Sequence, residues 1–582
     1  GKRVHSCWIS LIEGIRFFPE RMGRGLKQTA VSEVLERLGE PFAAGFMRDP
    51  DATMVERFAD ALNTWARVLP LRPYDGGLLY PSGPKYWNPE GMAVGWYYVT
   101  ATPLDRGVFE QKLAAANPAE REALEELERV WSAHVFPGGY THSIPHYERV
   151  LREGLNGFDE RVRKGLQTAS SERDSRAGFF RAMNTTLETA RILHNRIVDE
   201  IERFVAGDDE QRGNRDALLA ALRVVPFRPA ERFFDALVAT NFTFYFDGCD
   251  DLGRFDQYLR PYFERSLAEG ELSHDRAVEL VRAQWENVNA ATAWNAAIGG
   301  TKPDGTDLSS ELTIVCIEAA RGMRRPNLAL RLGPSTPDSV WEAALDTIVS
   351  GCGLPALYWD PNYYRAMDAS GIPLPVEERH EYAFGGCTEL MVHGRSNVGS
   401  LDDDINVPGV LERSLHGRLS TAADFPEFYE GFRNDLAATI ASIVERVNLW
   451  QQQKAEWQPQ PIRSLLIDDC VDRGVEYSAG GARYNWSVIN VMGLANAIDS
   501  LAALRTLVFE ERRFTGREIV DVLARDFDGA EELRRELQNA PRYGNGDPEV
   551  DSLAHDLSQF IFTKFLKYRT WRRGADGEGG PF

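Results

Sequence analysis

The chain has 582 residues, 43% of them hydrophobic and 26% charged, with a formal net charge of −21. That usage permits a large buried core, and the acidic surplus excludes a general binder of nucleic acid or of an anionic membrane, which needs clustered Lys and Arg. No apolar run approaches the roughly 20 residues that cross a bilayer, and residues 1–30 lack the apolar core of a signal peptide, so a cytoplasmic protein acting on a small molecule is expected.

Residues 27–69 and 106–133 carry apolar positions at helical spacing among many Glu and Arg, as in Ala119-Glu-Arg-Glu-Ala-Leu-Glu-Glu-Leu-Glu, and predict surface helices. Between them, residues 70–105 are rich in Pro, Gly, Tyr and Trp and predict a packed loop region with short strands. The helical period returns over 146–205, and 228–290 predicts two more long helices around Asp247-Gly-Cys-Asp-Asp-Leu-Gly. Beyond this, short apolar runs alternate with helical patterns. Ile314-Val-Cys-Ile, Leu328-Ala-Leu-Arg-Leu, Leu354-Pro-Ala-Leu-Tyr-Trp and Leu465-Leu-Ile-Asp are read as extended, which predicts an α/β barrel or sheet in one compact unit.

Six scattered cysteines (Cys7, Cys249, Cys316, Cys352, Cys387, Cys470) without a CxxC pair predict neither a disulfide framework nor a zinc knuckle. His142 and His146 stand at helical spacing, but no third ligand is evident and no metal site is assigned. The run Asp402-Asp-Asp lacks EF-hand spacing and is read as a polar approach to a helix N-terminus. Gly299-Gly-Thr-Lys-Pro-Asp-Gly-Thr-Asp lacks the Gly-Lys-Ser/Thr ending of a phosphate loop and is read as a turn. Arg254 and Arg331 are expected to brace carboxylates of the fold.

The segment Tyr382-Ala-Phe-Gly-Gly-Cys-Thr-Glu-Leu carries a thiol and a carboxylate two residues apart. Read as an extended loop, that spacing puts Cys387 and Glu389 on one face. It is preceded by His142-Ser-Ile-Pro-His-Tyr-Glu-Arg-Val-Leu, Leu252-Gly-Arg-Phe-Asp-Gln-Tyr-Leu-Arg-Pro-Tyr, Ile298-Gly-Gly-Thr and Arg325-Pro-Asn-Leu-Ala-Leu-Arg-Leu. It is followed by Gly480-Gly-Ala-Arg-Tyr-Asn, Tyr543-Gly-Asn-Gly-Asp-Pro-Glu-Val-Asp and Lys567-Tyr-Arg. In this order the motifs resemble the glycyl radical enzymes of the pyruvate formate-lyase superfamily, strongly over residues 138–582 and weakly over 1–137.

The resemblance implies a ten-stranded α/β barrel threaded by the cysteine loop, with Cys387 as the hydrogen-abstracting thiol. It implies that the radical-glycine segment would follow Phe582, so the chain is expected to be incomplete at its C-terminus and inactive unless complemented. The glycyl radical would be installed by an S-adenosylmethionine-dependent iron–sulfur activating enzyme, and no cofactor would be bound by this chain itself. A homodimer is implied as well. Glu389 is the expected acid/base of an eliminating or decarboxylating member, whereas Thr388, standing where formate-lyase types carry a second cysteine, disfavours acyl transfer. His142 and Asp251 are the substrate-binding candidates. For Asp251 a turn or helix-capping role stands beside substrate contact, and for His142 a capping or packing role, with Pro145 in the first turn of the following helix. Formate acetyltransferase-like or carbon–carbon bond-forming chemistry, and a non-catalytic pseudoenzyme or subunit, are the alternatives.

Overall fold

The computed structural model describes residues 44–83 and 141–582, except 47, 50, 70, 170–174, 373 and 401, together with isolated positions 114, 118 and 121. The helix expected over 106–133 therefore lies almost wholly outside the described residues, and Cys7, the first part of the helix expected over 27–69 and all of 84–105 lie outside them too. Helix Met54–Ala66 is described. It opens with Glu56 Oε2 accepting from the Thr53 amide at 3.0 Å, which satisfies one of the donors a helix start leaves unpaired.

Tyr147–Thr168 and Ser175–Arg203 fill the stretch predicted helical. His146 is the N-cap of the first, its Nδ1 accepting from the Arg149 amide at 3.3 Å, so Pro145 stands before the helix rather than in its first turn. Residues 228–290 form three helices instead of two, Phe233–Phe246, Phe255–Ala268 and His274–Ala290. The first is apolar on all sides and buried from Ala236 to Phe246, as expected of a helix inside a large core.

Ten short strands occur among the described residues: β1 (Thr141–His142), β2 (Asn295–Gly299), β3 (Asn327–Leu332), β4 (Ala356–Trp359), β5 (Tyr382–Gly385), β6 (Glu389–Val392), β7 (Ser396–Gly399), β8 (Asp403–Asn406), β9 (Tyr484–Trp486) and β10 (Ile489–Met492). β2, β3 and β4 are parallel neighbours connected through helices Glu311–Ala319 and Asp338–Thr347. β2 is buried along its whole length, whereas β4, paired on one side only, alternates between partly buried and exposed. β7 pairs antiparallel with β1 and parallel with β9, β8 pairs parallel with β10, and β5 and β6 form an antiparallel hairpin.

Two extended runs are corrected. Ile314-Val-Cys-Ile lies within helix Glu311–Ala319, and Leu465-Leu-Ile-Asp begins inside helix Pro461–Leu466. Both helices are short and enclosed, so no polar face reveals a helical period. The start signals decide: Ser310 opens the first with a capping box, and Pro461 sits in the first turn of the second. The aspartate run also differs from its reading, since Asp403 and Asp404 belong to β8 and Asn406 caps the helix that follows. After Gly299, the last residue of β2, the chain turns back on itself with Thr301 bridged to Asp307, as predicted.

Most of the core forms one apolar cluster running from Phe46 to Trp486. A second gathers around the long helix Phe425–Trp457, with Leu494–Leu504 and Pro548–Phe565 packed on it. Arg254 and Arg331 take structural roles beside β5. Arg254 pairs with Glu381 at 2.8 Å, and Arg331 grips Asp360 with two contacts of 3.0 Å while donating to the Tyr382 carbonyl at 2.8 Å. Among the described residues, no helix is long and apolar enough to cross a membrane.

Candidate active site

Cys387 sits at the tip of the β5–β6 hairpin. The strands pair with Gly385 opposite Glu389, which leaves Gly386, Cys387 and Thr388 as a three-residue turn. The Thr388 amide closes it onto the Gly385 carbonyl at 3.0 Å. This tight turn replaces the extended loop that the sequence suggested. Thr388 adopts φ +140°, a region few β-branched residues occupy, and Gly386 adopts φ +49°. A side chain at Gly386 would place its Cβ 1.8 Å from His142 Nε2, so only glycine fits.

The two reacting candidates are nevertheless brought together. Cys387 is exposed, and burial of its sulfur side together with the nearby carboxylates of Glu389 and Asp251 pushes its thiol pKa up. The group is therefore held as S–H, the form that can give up a hydrogen atom. Glu389 opens β6, and both of its oxygens are anchored: Oε1 accepts from Ser400 Oγ at 2.5 Å and Oε2 from the Thr388 amide at 3.0 Å. The carboxylate is thus fixed beside the thiol.

His142 lies beneath the turn, 3% exposed. The loop after helix Phe233–Phe246 turns through Gly248 and Cys249, both at positive φ, and runs between β1 and β2. There the Asp251 amide donates to the Ser143 carbonyl at 3.4 Å and the Leu252 amide to Asn295 at 2.9 Å. His142 Nδ1 is 2.7 Å from Asp250 Oδ1 and 3.4 Å from Asp251 Oδ2. Burial alone would depress the imidazole pKa, but Asp250, Asp251 and Glu389 outweigh it and the net shift is upward. The ring of Trp294 stands edge-on to the imidazole at 5.4 Å.

Asp251 is fully buried and caps no helix. Its carboxylate accepts from the Asn295 amide at 2.8 Å and the Gly386 amide at 3.1 Å, tying the base of the cysteine turn to β2. Burial, then the charge of Asp250, pushes its pKa well up, opposed by His142 and the two amides.

The sequence reading missed Asp250, which sits one residue before its candidate and takes the shorter contact to His142. Asp250 Oδ2 also accepts from the Ser143 amide at 2.8 Å and from Arg463 at 3.2 Å. It missed Asn295 and Ser400 as well. The repeated acid of Asp250-Asp251 was the only visible signal.

His142, Asp250 and Asp251 offer ligand atoms within 4.8 Å of one another, close enough for a metal set. The donor chemistry argues otherwise: backbone amides, the imidazole and a guanidinium already point at these carboxylates. His146 takes no part in this group; its Nε2 faces Asp468 at 3.6 Å.

The three-dimensional arrangement is that of the glycyl radical enzymes. A glycyl radical enzyme from Archaeoglobus fulgidus superimposes with a TM-score of 0.76 over 95% of this chain and 80% of that one, at 21% identity, and so shows the α/β barrel fold. The family model for pyruvate formate lyase-like proteins matches residues 110–578, and the chain belongs to that family. It is 25% identical to an isethionate sulfite-lyase of Oleidesulfovibrio alaskensis over 71% of this chain and 56% of the relative. It is also 25% identical to a (2S)-3-sulfopropanediol dehydratase of Klebsiella oxytoca over 78% of this chain and 60% of the relative. The chain thus spans less than two thirds of the length of these curated relatives.

Proposed function

We propose that this chain is the catalytic body of a glycyl radical lyase that eliminates a heteroatom group from a small polar metabolite. The observation that carries this reading is the hairpin tip. An accessible thiol kept protonated stands beside an anchored carboxylate, over an imidazole whose pKa is raised. The dehydratase and sulfite-lyase names of the relatives support the same class.

A backbone glycyl radical, installed by an S-adenosylmethionine-dependent iron–sulfur activating enzyme, would supply the oxidising equivalent to the thiol. The accessible S–H of Cys387 fits that supply. The Cys387 thiyl takes a hydrogen atom from a substrate carbon bearing a hydroxyl, so that S–H forms as C–H breaks. Glu389 accepts the hydroxyl proton, which lets the carbonyl develop. The neighbouring heteroatom group leaves, with His142 as its proton donor and Asp251 as a second contact for the substrate's polar end. The product radical then recovers a hydrogen atom from Cys387.

The test is product analysis of the activated, full-length enzyme, without oxygen, on a panel of vicinal diols, hydroxylated amino acids and hydroxysulfonates. A carbonyl or unsaturated product with release of water or sulfite is expected. Formate released from pyruvate in the presence of coenzyme A would overturn the reading.

A further inference from the structure

Far along the chain from the hairpin, two adjoining cavities open where helix Tyr147–Thr168 meets the stretch 222–229. They share Asn156, Phe227 and Arg228 in their walls and measure about 360 and 580 Å³. The smaller is lined by Arg191, Arg223 and Arg228 together with His194 and Asn195, and by no acidic residue. The larger adds Arg161 and Lys164 against Glu153 and Glu160. In a chain of net charge −21, a concavity of this sign stands out.

Three of these five cations are without an ion pair among the described residues. Arg228 donates to the carbonyl of Arg223, and among the described residues no carboxylate lies within salt-bridge distance of Arg223, Arg228 or Lys164. Arg191 meets Asp159 at 3.4 Å, and its guanidinium lies over the Phe227 ring at 4.8 Å, which holds the fork at the cavity wall. Arg161 is paired with Asp472. Burial lowers the His194 pKa, outweighing the opposite pull of the Leu222 carbonyl that its Nε2 faces at 2.9 Å.

The wall is built by backbone. The Leu155 and Asn156 amides donate to the carbonyls of Pro226 and Phe227 at 2.8 and 3.0 Å. Gly154, at φ +63°, kinks the helix to permit this, since a Cβ there would lie 2.4 Å from the Phe227 carbonyl oxygen. Arg223 and Arg228 therefore flank a braced rim, which Arg191 faces from helix Ser175–Arg203. Planar forks of this kind favour phosphate oxygens, which they contact in pairs.

We propose that this double cavity binds a small polyphosphate-bearing molecule, with Arg191, Arg223 and Arg228 holding the phosphates. The site is independent of the radical chemistry. Its test is calorimetric titration of the full chain with inorganic tripolyphosphate, for the unmodified protein, for Arg223→Gln/Arg228→Gln, and for the remote control Arg212→Gln/Arg276→Gln. Saturable binding that weakens about tenfold or more in the first variant, as loss of charge-assisted contacts requires, and holds in the control is expected, with unfolding midpoints unchanged. No saturable binding, undiminished binding in Arg223→Gln/Arg228→Gln, or an equal loss in the control would overturn the assignment.

Discussion

His142 Nδ1 stands 2.7 Å from Asp250 Oδ1, and the far side of the same imidazole rests against Gly386, the residue before Cys387. One ring thus links a buried acid pair to the turn that carries the thiol. Asp250, with the larger share of the attraction, keeps the imidazole pKa raised against its burial. Asp250→Asn is therefore expected to lower the His142 pKa, measured by NMR titration of labelled imidazole. The sign for stability follows. A raised histidine pKa contributes stability that is fully present below the unfolded value of about 6.5 and is lost as pH rises through the folded pKa. The variant should shrink that loss, and an unchanged His142 titration would contradict the pairing.

Gly386→Ala should cost about 1–3 kcal/mol in chemical denaturation, from a non-glycine residue at positive φ and from collision with the imidazole. In a His142→Ala background the collision disappears, so the double-mutant cycle should show coupling of about 1 kcal/mol or more. Additive effects would mean that the ring does not sit under the turn.

Arg331→Met should destabilise the chain by about 3–5 kcal/mol, because it leaves Asp360 as an uncompensated buried charge. Arg331→Lys should recover only part of this, as a lysine cannot reproduce the paired contacts to Asp360 while bonding the carbonyls of His380 and Tyr382. Urea denaturation of the three proteins reads both effects.

Glu389→Gln in the activated full-length enzyme should lower kcat about 10²- to 10⁴-fold with a much smaller change in KM, the pattern of a lost general base. The side chain is partly exposed and its amide can still accept from Ser400, so the unfolding midpoint should hardly move. A change confined to KM would assign Glu389 to binding alone.

Much of the site was legible because its chemistry is local in sequence. Cys387, Glu389, His142 and Asp251 stand in short motifs, and the structure gathers all four around one turn. What escaped depends on long-range contacts. Asp250 and Asp251 are equivalent as letters, and only the packing of β1 against their loop decides which one takes the shorter contact. β1 itself is two residues long and exists through its pairing with β7, 258 residues away at Thr141↔Gly399. β3 and β4 were readable from their apolar runs. β2, Asn-Ala-Ala-Ile-Gly, has one β-branched residue and is buried on both faces, so neither propensity nor alternation announces it. The extended reading of the cysteine loop failed for a related reason: the pairing of β5 with β6 forces the reversal at Gly386.

The most direct test of the central claim is turnover by activated full-length enzyme carrying Cys387→Ser, with substrate deuterated at the carbon under attack. Cys387 is exposed at a turn, so the variant should fold with stability within about 0.5 kcal/mol of the parent. The account predicts complete loss of turnover, beside a primary isotope effect or deuterium return to product in the parent. A serine variant that still turns over would contradict it.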